Sequence, residues 1–285
     1  MSTEAALLAI ATSVAAGLMG SFAVMRRMSL AADPLSHVAL PGIGVALALH
    51  HQPIFGAVAA LLVGAFLVWV LEQKAQAATE AIIGVVFSAA LAIGSLTTSG
   101  EDLIDALFGG GGSPPPAEVV FVLLAAVGII AFVIAERNRL VVMIVSPDLA
   151  RTAGVNVRRV DLAYMLLFAL TIGIGLRYLG VLLMGALIII PAVTAKGIAR
   201  NLREMLVLSV MLAVLAAVVG AGVASWVQME TGPIVVLVAA GCFLLSLLLP
   251  RGSAAGTPRR VSSNVVDEDI ARSKTPLNDV PRRTV

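Results

Sequence analysis

Nine apolar runs, each close to the length that crosses a bilayer, decide what this chain can fold into. They fall at about 5–25, 33–49, 53–71, 80–98, 118–135, 160–176, 180–195, 204–226 and 232–249. In hydrocarbon every backbone N–H and C=O must be satisfied inside the protein, and a continuously apolar run of this length does so as a helix. The expected fold is therefore all-α, a polytopic transmembrane helical bundle of about nine spans. Composition agrees: 59% of residues are hydrophobic, and 13% are charged where a soluble domain carries about 25%. Glu4 stands where a signal peptide carries basic residues, so the first run reads as a retained helix.

Nine spans put the termini on opposite sides. Arg26 and Arg27, Lys74, the stretch from Arg137 to Arg159, and Lys196 to Arg203 fall in alternate loops. The loops between them are short and weakly charged (His50-His51-Gln52) or acidic (Glu101, Asp102, Asp105). Basic residues collect on the cytoplasmic side, so the N-terminus is expected outside and the C-terminus inside. A break near Arg177-Tyr178 separates two short runs. Gly109 to Pro116 reads as a linker, flexible and then stiff. From Arg251 the hydrophobic pattern stops, giving a transmembrane domain over 1–250 and a tail over 251–285, expected to be disordered in the cytoplasm. Arg259-Arg260 in that tail could touch anionic membrane lipid, but a solvated tail is the simpler account.

Several function classes drop out. A formal charge of +2 with no basic stripe gives no reason to expect nucleic acid. The single Cys242 leaves no disulfide framework and no Cys-rich zinc site. No phosphate-loop motif, H-E-x-x-H or G-x-S-x-G occurs, and three histidines leave little for a catalytic constellation. The chain is not read as an enzyme, and no cofactor of its own is expected.

The strongest chemical feature is Asp33-Pro34-Leu35-Ser36-His37 at the mouth of the second run. A carboxylate and an imidazole four residues apart share one helix face. Ionisable groups are expensive at membrane depth and mark functional sites there, and this pair suits transition-metal ions. Asp33 before Pro34 is also a helix N-terminus signature, Asp at the N-cap and Pro at the first position, which leaves His37 unexplained. A buried neutral histidine bonded to a carbonyl remains an alternative. Pro41, Gly42 and Gly44 follow near the same face and suit close helix packing. Pro191 predicts a kink in the seventh span, either a gating element or simply shape. His50 and His51 could attract an incoming ion, but interfacial exposure is the simpler account. The Glu101, Asp102, Asp105 patch is equally well a solvated loop. Asp148-Leu149-Ala150-Arg151-Thr152-Ala153-Gly154-Val155 differs from a plain loop, since Pro147 and Asp148 suit a helix start and Gly154 its end.

Three stretches together resemble the membrane permeases of bacterial ATP-binding-cassette importers for zinc, manganese and iron. They are Gly20 to Met28 running into Asp33 to Gly42, then Asp148 to Val155, then Gly180 to Ala192. The resemblance implies a homodimeric permease subunit, related to the vitamin B12 and siderophore importer permeases, in the bacterial cytoplasmic (inner) membrane. It implies that Asp33 and His37 contact the metal and that Asp148 to Val155 is the coupling helix docking on a separate ATPase. ATP would be used by that cytoplasmic partner, and an extracytoplasmic metal-binding protein would deliver the ion. The Gly/Pro insert at 109–116 and the long polar tail depart from the family pattern. A siderophore- or cobalamin-type permease and an ion-gradient-driven metal carrier are the alternatives.

Overall fold

The computed structural model describes residues 3–75, 77–97 and 115–248, and their regular structure is helical throughout. In chain order the helices are α1 (Thr3–Met25), a 3-10 turn (Ser29–Ala31), α2 (Ala32–His37), α3 (Ala39–Ala48), α4 (Pro53–Lys74) and α5 (Thr79–Thr97). Then follow α6 (Pro116–Val145), α7 (Pro147–Thr152), α8 (Val157–Ile198), α9 (Leu202–Val227) and α10 (Thr231–Ser246). The acidic patch at 101–105, most of the Gly/Pro insert and the tail from 251 lie outside the described residues. The end of the insert is seen: Pro115 is extended and Pro116 opens α6, where a missing N–H costs nothing.

Seven of the nine apolar runs are helices long and apolar enough to cross a membrane, among them Ala6–Met25, Ser29–Ala48, Pro53–Lys74 and Val157–Leu176. The other two runs appear as the shorter apolar helices Leu183–Ile198 and Thr231–Ser246. The bundle is built around α1 and α8. Within the α1 span 72% of residues are buried, against 28% for the spans of α5 and α6, so α1 is interior and those two are peripheral. Peripheral faces carry exposed Leu124, Val127 and Ile134, the surface a lipid-facing helix presents. Interior helices are also joined by polar side chains: Ser209 Oγ donates to the Gly17 carbonyl at 2.8 Å, tying α9 to α1.

Helical backbone runs without interruption through α8, yet α8 cannot be one straight rod. Tyr164 Oη lies 3.5 Å from the Met19 carbonyl. The Ile188 carbonyl oxygen presses on Gly20, only 2.0 Å from where a Cβ would sit. Met19 and Gly20 are adjacent, but 164 and 188 would be about 36 Å apart along a straight helix. Met184 also packs its sulfur onto Gly175. The chain therefore folds back between 175 and 184, where the sequence breaks at Arg177-Tyr178. Both ends of α8 return to the end of α1: Asp161 pairs with Arg26, while Ala192 and Ala195 cluster with Val24.

The tightest crossing joins α3 and α4. A Cβ on Gly42 would lie 2.1 Å from the Gly56 carbonyl oxygen, and one on Gly56 would lie 2.2 Å from that of Gly42. Gly42→Val is expected to lower stability by about 1–3 kcal/mol through overpacking. Gly128→Ala, where nothing lies within 4 Å, should be neutral or slightly stabilising. Thermal unfolding of the detergent-solubilised protein checks both, and equal melting points for Gly42→Val and the native chain would contradict this packing.

Candidate functional site

The second crossing, Ser29–Ala48, is not one helix. It breaks at Val38, whose N–H closes a tight turn onto the Leu35 carbonyl at 3.0 Å. The sequence supplies the reason: Pro41 has no N–H, so the His37 carbonyl loses its intrahelical donor. An irregular backbone at this depth is tolerated only when buried in protein or lining a cavity. The break leaves α2 as a six-residue helix carrying both Asp33 and His37.

Asp33 and His37 differ from the sequence expectation in one respect. The N-cap of α2 is Ala31, and no side chain caps the helix. Asp33 sits inside the first turn and is exposed, so the cap role is withdrawn. The candidate span begins at Ser29, so the turn Ser29–Ala31 and Ala32 precede Asp33, the second residue of α2.

A six-residue helix needs a seat, and α8 provides it. Ser36 is fully buried, with Oγ 2.7 Å from the Val181 carbonyl and 2.7 Å from its own-turn carbonyl at Asp33, two acceptors for one hydroxyl proton. Gly185 lies directly behind Asp33: a Cβ there would be 3.0 Å from both Asp33 Cα and N. Backbone thus meets backbone, and the Asp33 side chain is left on the open face. His37 is half-buried, its ring 5.5 Å from that of Phe87 on α5 and tilted by 56°. Its Nδ1 is buried without a hydrogen-bond partner among the described residues. The carbonyl bond expected for a purely structural histidine is therefore missing at that nitrogen. A carboxylate and an imidazole in this arrangement can offer one oxygen and one nitrogen ligand. Among the described residues no group of three or more His, Cys, Asp or Glu side chains surrounds a common point.

Other sequence candidates are placed apart from this pair. His50 and His51 are exposed in the connection between α3 and α4, about 20 Å along the crossing from His37. His51 lines an apolar cavity of about 740 Å³ with Pro41 and Phe55. Pro191 is buried inside α8 and lies beyond the reversal, so the sharpest change of direction is not at the proline.

The segment Asp148 to Val155 forms the compact unit its sequence suggests. Ser146, which sequence reasoning passed over, caps α7 by accepting the Leu149 N–H at 3.3 Å. Asp148 pairs with Arg151 at 3.0 Å, and Thr152 ends the helix. Gly154 takes φ +77°, open to glycine, and lets Val155 N–H return to the Ala150 carbonyl at 2.9 Å. Ala150 is buried, while Leu149 is 61% exposed beside Asp148 and Arg151. The unit thus has an anchored face and a presented face. Sequence reasoning also missed the link just beyond it, where Asp161 binds Arg26 and Arg26 stacks on Tyr164 at 4.6 Å.

Known proteins match this arrangement along nearly its whole described length. The chain is similar to the high-affinity zinc uptake system membrane protein ZnuB of Haemophilus influenzae, 29% identical over 85% of this chain and 95% of that protein. It is similar to the manganese transport system membrane protein MntC of Listeria monocytogenes, 28% identical over 86% and 89%. It also resembles the chelated iron transport system membrane protein YfeD of Yersinia pestis, 29% identical over 86% and 84%. Among solved structures, PsaBC from Streptococcus pneumoniae in complex with Fab superposes with a TM-score of 0.75 at 27% identity, covering 86% of this chain and 90% of that one. Residues 1–250 match the ABC 3 transport family, and the chain is a multi-pass membrane protein belonging to that family.

Proposed function

We propose that this chain is the permease subunit of an ATP-driven importer for a divalent transition metal ion: zinc, manganese or iron. The observation that carries the reading is the carboxylate–imidazole pair held on a broken helix inside a membrane crossing and backed by α8. Relatives named for zinc, manganese and iron transport support the cargo class. Oxygen and imidazole ligands suit all three ions, and the Irving–Williams order keeps affinity from selecting among them.

In this reading nine crossings, counting both legs of α8 and α10, put the basic connections in the cytoplasm of a bacterial inner membrane, the N-terminus outside and the C-terminus inside. Asp33 and His37 replace part of the hydration shell of an ion handed over by an external binding protein. Two ligands fall short of the four that hold a structural zinc, which suits a path from which the ion must leave. A second copy of the chain would bring a second pair. ATP is hydrolysed by a separate cytoplasmic subunit seated on Asp148 to Val155, and Pro191 gives the second leg of α8 a point of flexure.

Three outcomes test this. In the complete transporter at equal membrane expression, His37→Ala should cut cellular accumulation of the cargo metal by about tenfold or more. Asp33→Asn, which keeps shape and loses charge, should reduce it less while leaving the fold intact. Unchanged accumulation of zinc, manganese and iron with both variants would overturn the ligand roles. Leu149→Asp, on the presented face of α7, should weaken co-purification of the ATPase by about tenfold without changing the melting point of the permease. Normal co-purification would remove α7 as the seat.

A further inference from the structure

The Arg26-Arg27 pair, quoted above only for orientation, borders a site of its own. Arg26 gives one edge of its guanidinium to Asp161 and lays its face on Tyr164. Its Nη1 is buried and has no hydrogen-bond partner among the described residues. A guanidinium presents a planar fork of donors suited to paired oxygens, and a buried donor left unmade is costly. Arg26 borders a cavity of about 430 Å³, also lined by Arg27, Arg151, Asp161, Met143 and Val157.

The cavity wall has two characters. Three guanidiniums border it, and Asp161 is the one acidic residue in the lining. Asp148 pairs with Arg151 but is 87% exposed, so it offsets charge at the rim and not inside. Met143 and Val157 add apolar surface to the same lining. All these residues come from helix ends: the last turn of α1, the last turn of α6, the region of α7, and the first turns of α8. In helices that cross a bilayer, ends lie at headgroup depth. Excess positive charge beside an apolar wall at that depth matches a phosphate group whose carrier also has hydrocarbon.

We infer that this cavity binds the phosphate of an anionic phospholipid, drawn from the leaflet that faces the basic connections. Which leaflet that is rests on the orientation proposed above; the binding itself does not. Arg151 belongs to the coupling segment and Asp161 begins the helix that leads to the metal pair, so the lipid phosphate would brace the α1–α7–α8 corner. A soluble phosphate has the same head chemistry, but it makes no use of Met143 and Val157.

The test uses the full-length chain, purified and exposed to equal amounts of phosphatidylglycerol and phosphatidylcholine, with retained lipid counted by native mass spectrometry. Phosphatidylglycerol should be retained preferentially. Arg27→Asn should lower that preference about fivefold, while Arg27→Lys keeps most of it. Asn tolerates the left-handed backbone of Arg27, φ 61°, so loss of folding is not expected, and an unchanged melting point without added lipid verifies this. Inorganic phosphate should fail to displace the lipid. Equal retention of both lipids, or a preference unaffected by Arg27→Asn, overturns the site. Displacement by inorganic phosphate would make free phosphate the occupant and overturn the lipid assignment. Displacement by the ATPase, with Arg27→Asn weakening ATPase binding instead, would assign the cavity to an acidic side chain of that subunit. Metal accumulation is not read in this experiment, so its failure leaves the ligand roles of Asp33 and His37 untouched.

Discussion

The buried Ser36 hydroxyl against the Val181 carbonyl is the contact on which the site's geometry depends. A helix of six residues has too few internal bonds to persist alone, since nucleation fixes several residues for one hydrogen bond. In a membrane the cost is sharper, because carbonyls freed by a break cannot turn to water. Pro41 creates such a break next to His37, and the seat on α8 makes it tolerable. Ser36 anchors the turn, and Gly185 lets the Asp33 backbone approach so closely that a side chain could not intervene. The polar pair is then held by backbone packing, and His37 Nδ1 has no hydrogen-bond partner among the described residues.

The fold-back of α8 gives this seat its second property. The first leg begins just after α7, where Asp161 is tied to Arg26, and the second leg carries Val181 and Gly185. Because both legs pack on α1 at Met19 and Gly20, a shift of the α7 corner and a shift of α2 are movements about the same helix. On the proposed reading, ATPase docking and metal contact are therefore separated by one helical hairpin and share one support. No long chain of side chains is needed between them.

Much of this was legible in the sequence where the determinants are local. Apolar run length located the helices, including the two on either side of Arg177-Tyr178, of which only Leu183–Ile198 is short. Pro147 and Gly154 marked the bounds of the α7 unit because proline at a helix start and glycine in a left-handed turn act within a few residues. The reading of Asp33 as a cap failed for a related reason: the helix starts earlier, from the 3-10 turn at Ser29–Ala31, and so the aspartate falls inside it. Contacts made across the bundle left no trace in local pattern. Ser36 and Val181 are 145 residues apart, and Arg26 and Asp161 are 135 apart. Each of those residues looks ordinary alone, and only the fold makes them partners.

On the proposed reading, the incompleteness of the ligand set follows from the same architecture. Ala32, Leu35 and Ser36 of α2 are buried, Ser36 against α8, which leaves only Pro34, a residue with no ligating side chain, beside the pair. A closed four-ligand cage would also need rigid support on every side, whereas here α8 backs Asp33, α5 meets only the His37 ring through Phe87, and the Asp33 side chain is exposed. On the proposed reading, two donors from one chain would give an ion enough compensation to shed part of its water, and too little to hold it. A short helix seated on one side would then suit a carrier that must release its cargo, with selectivity left to whatever presents the ion.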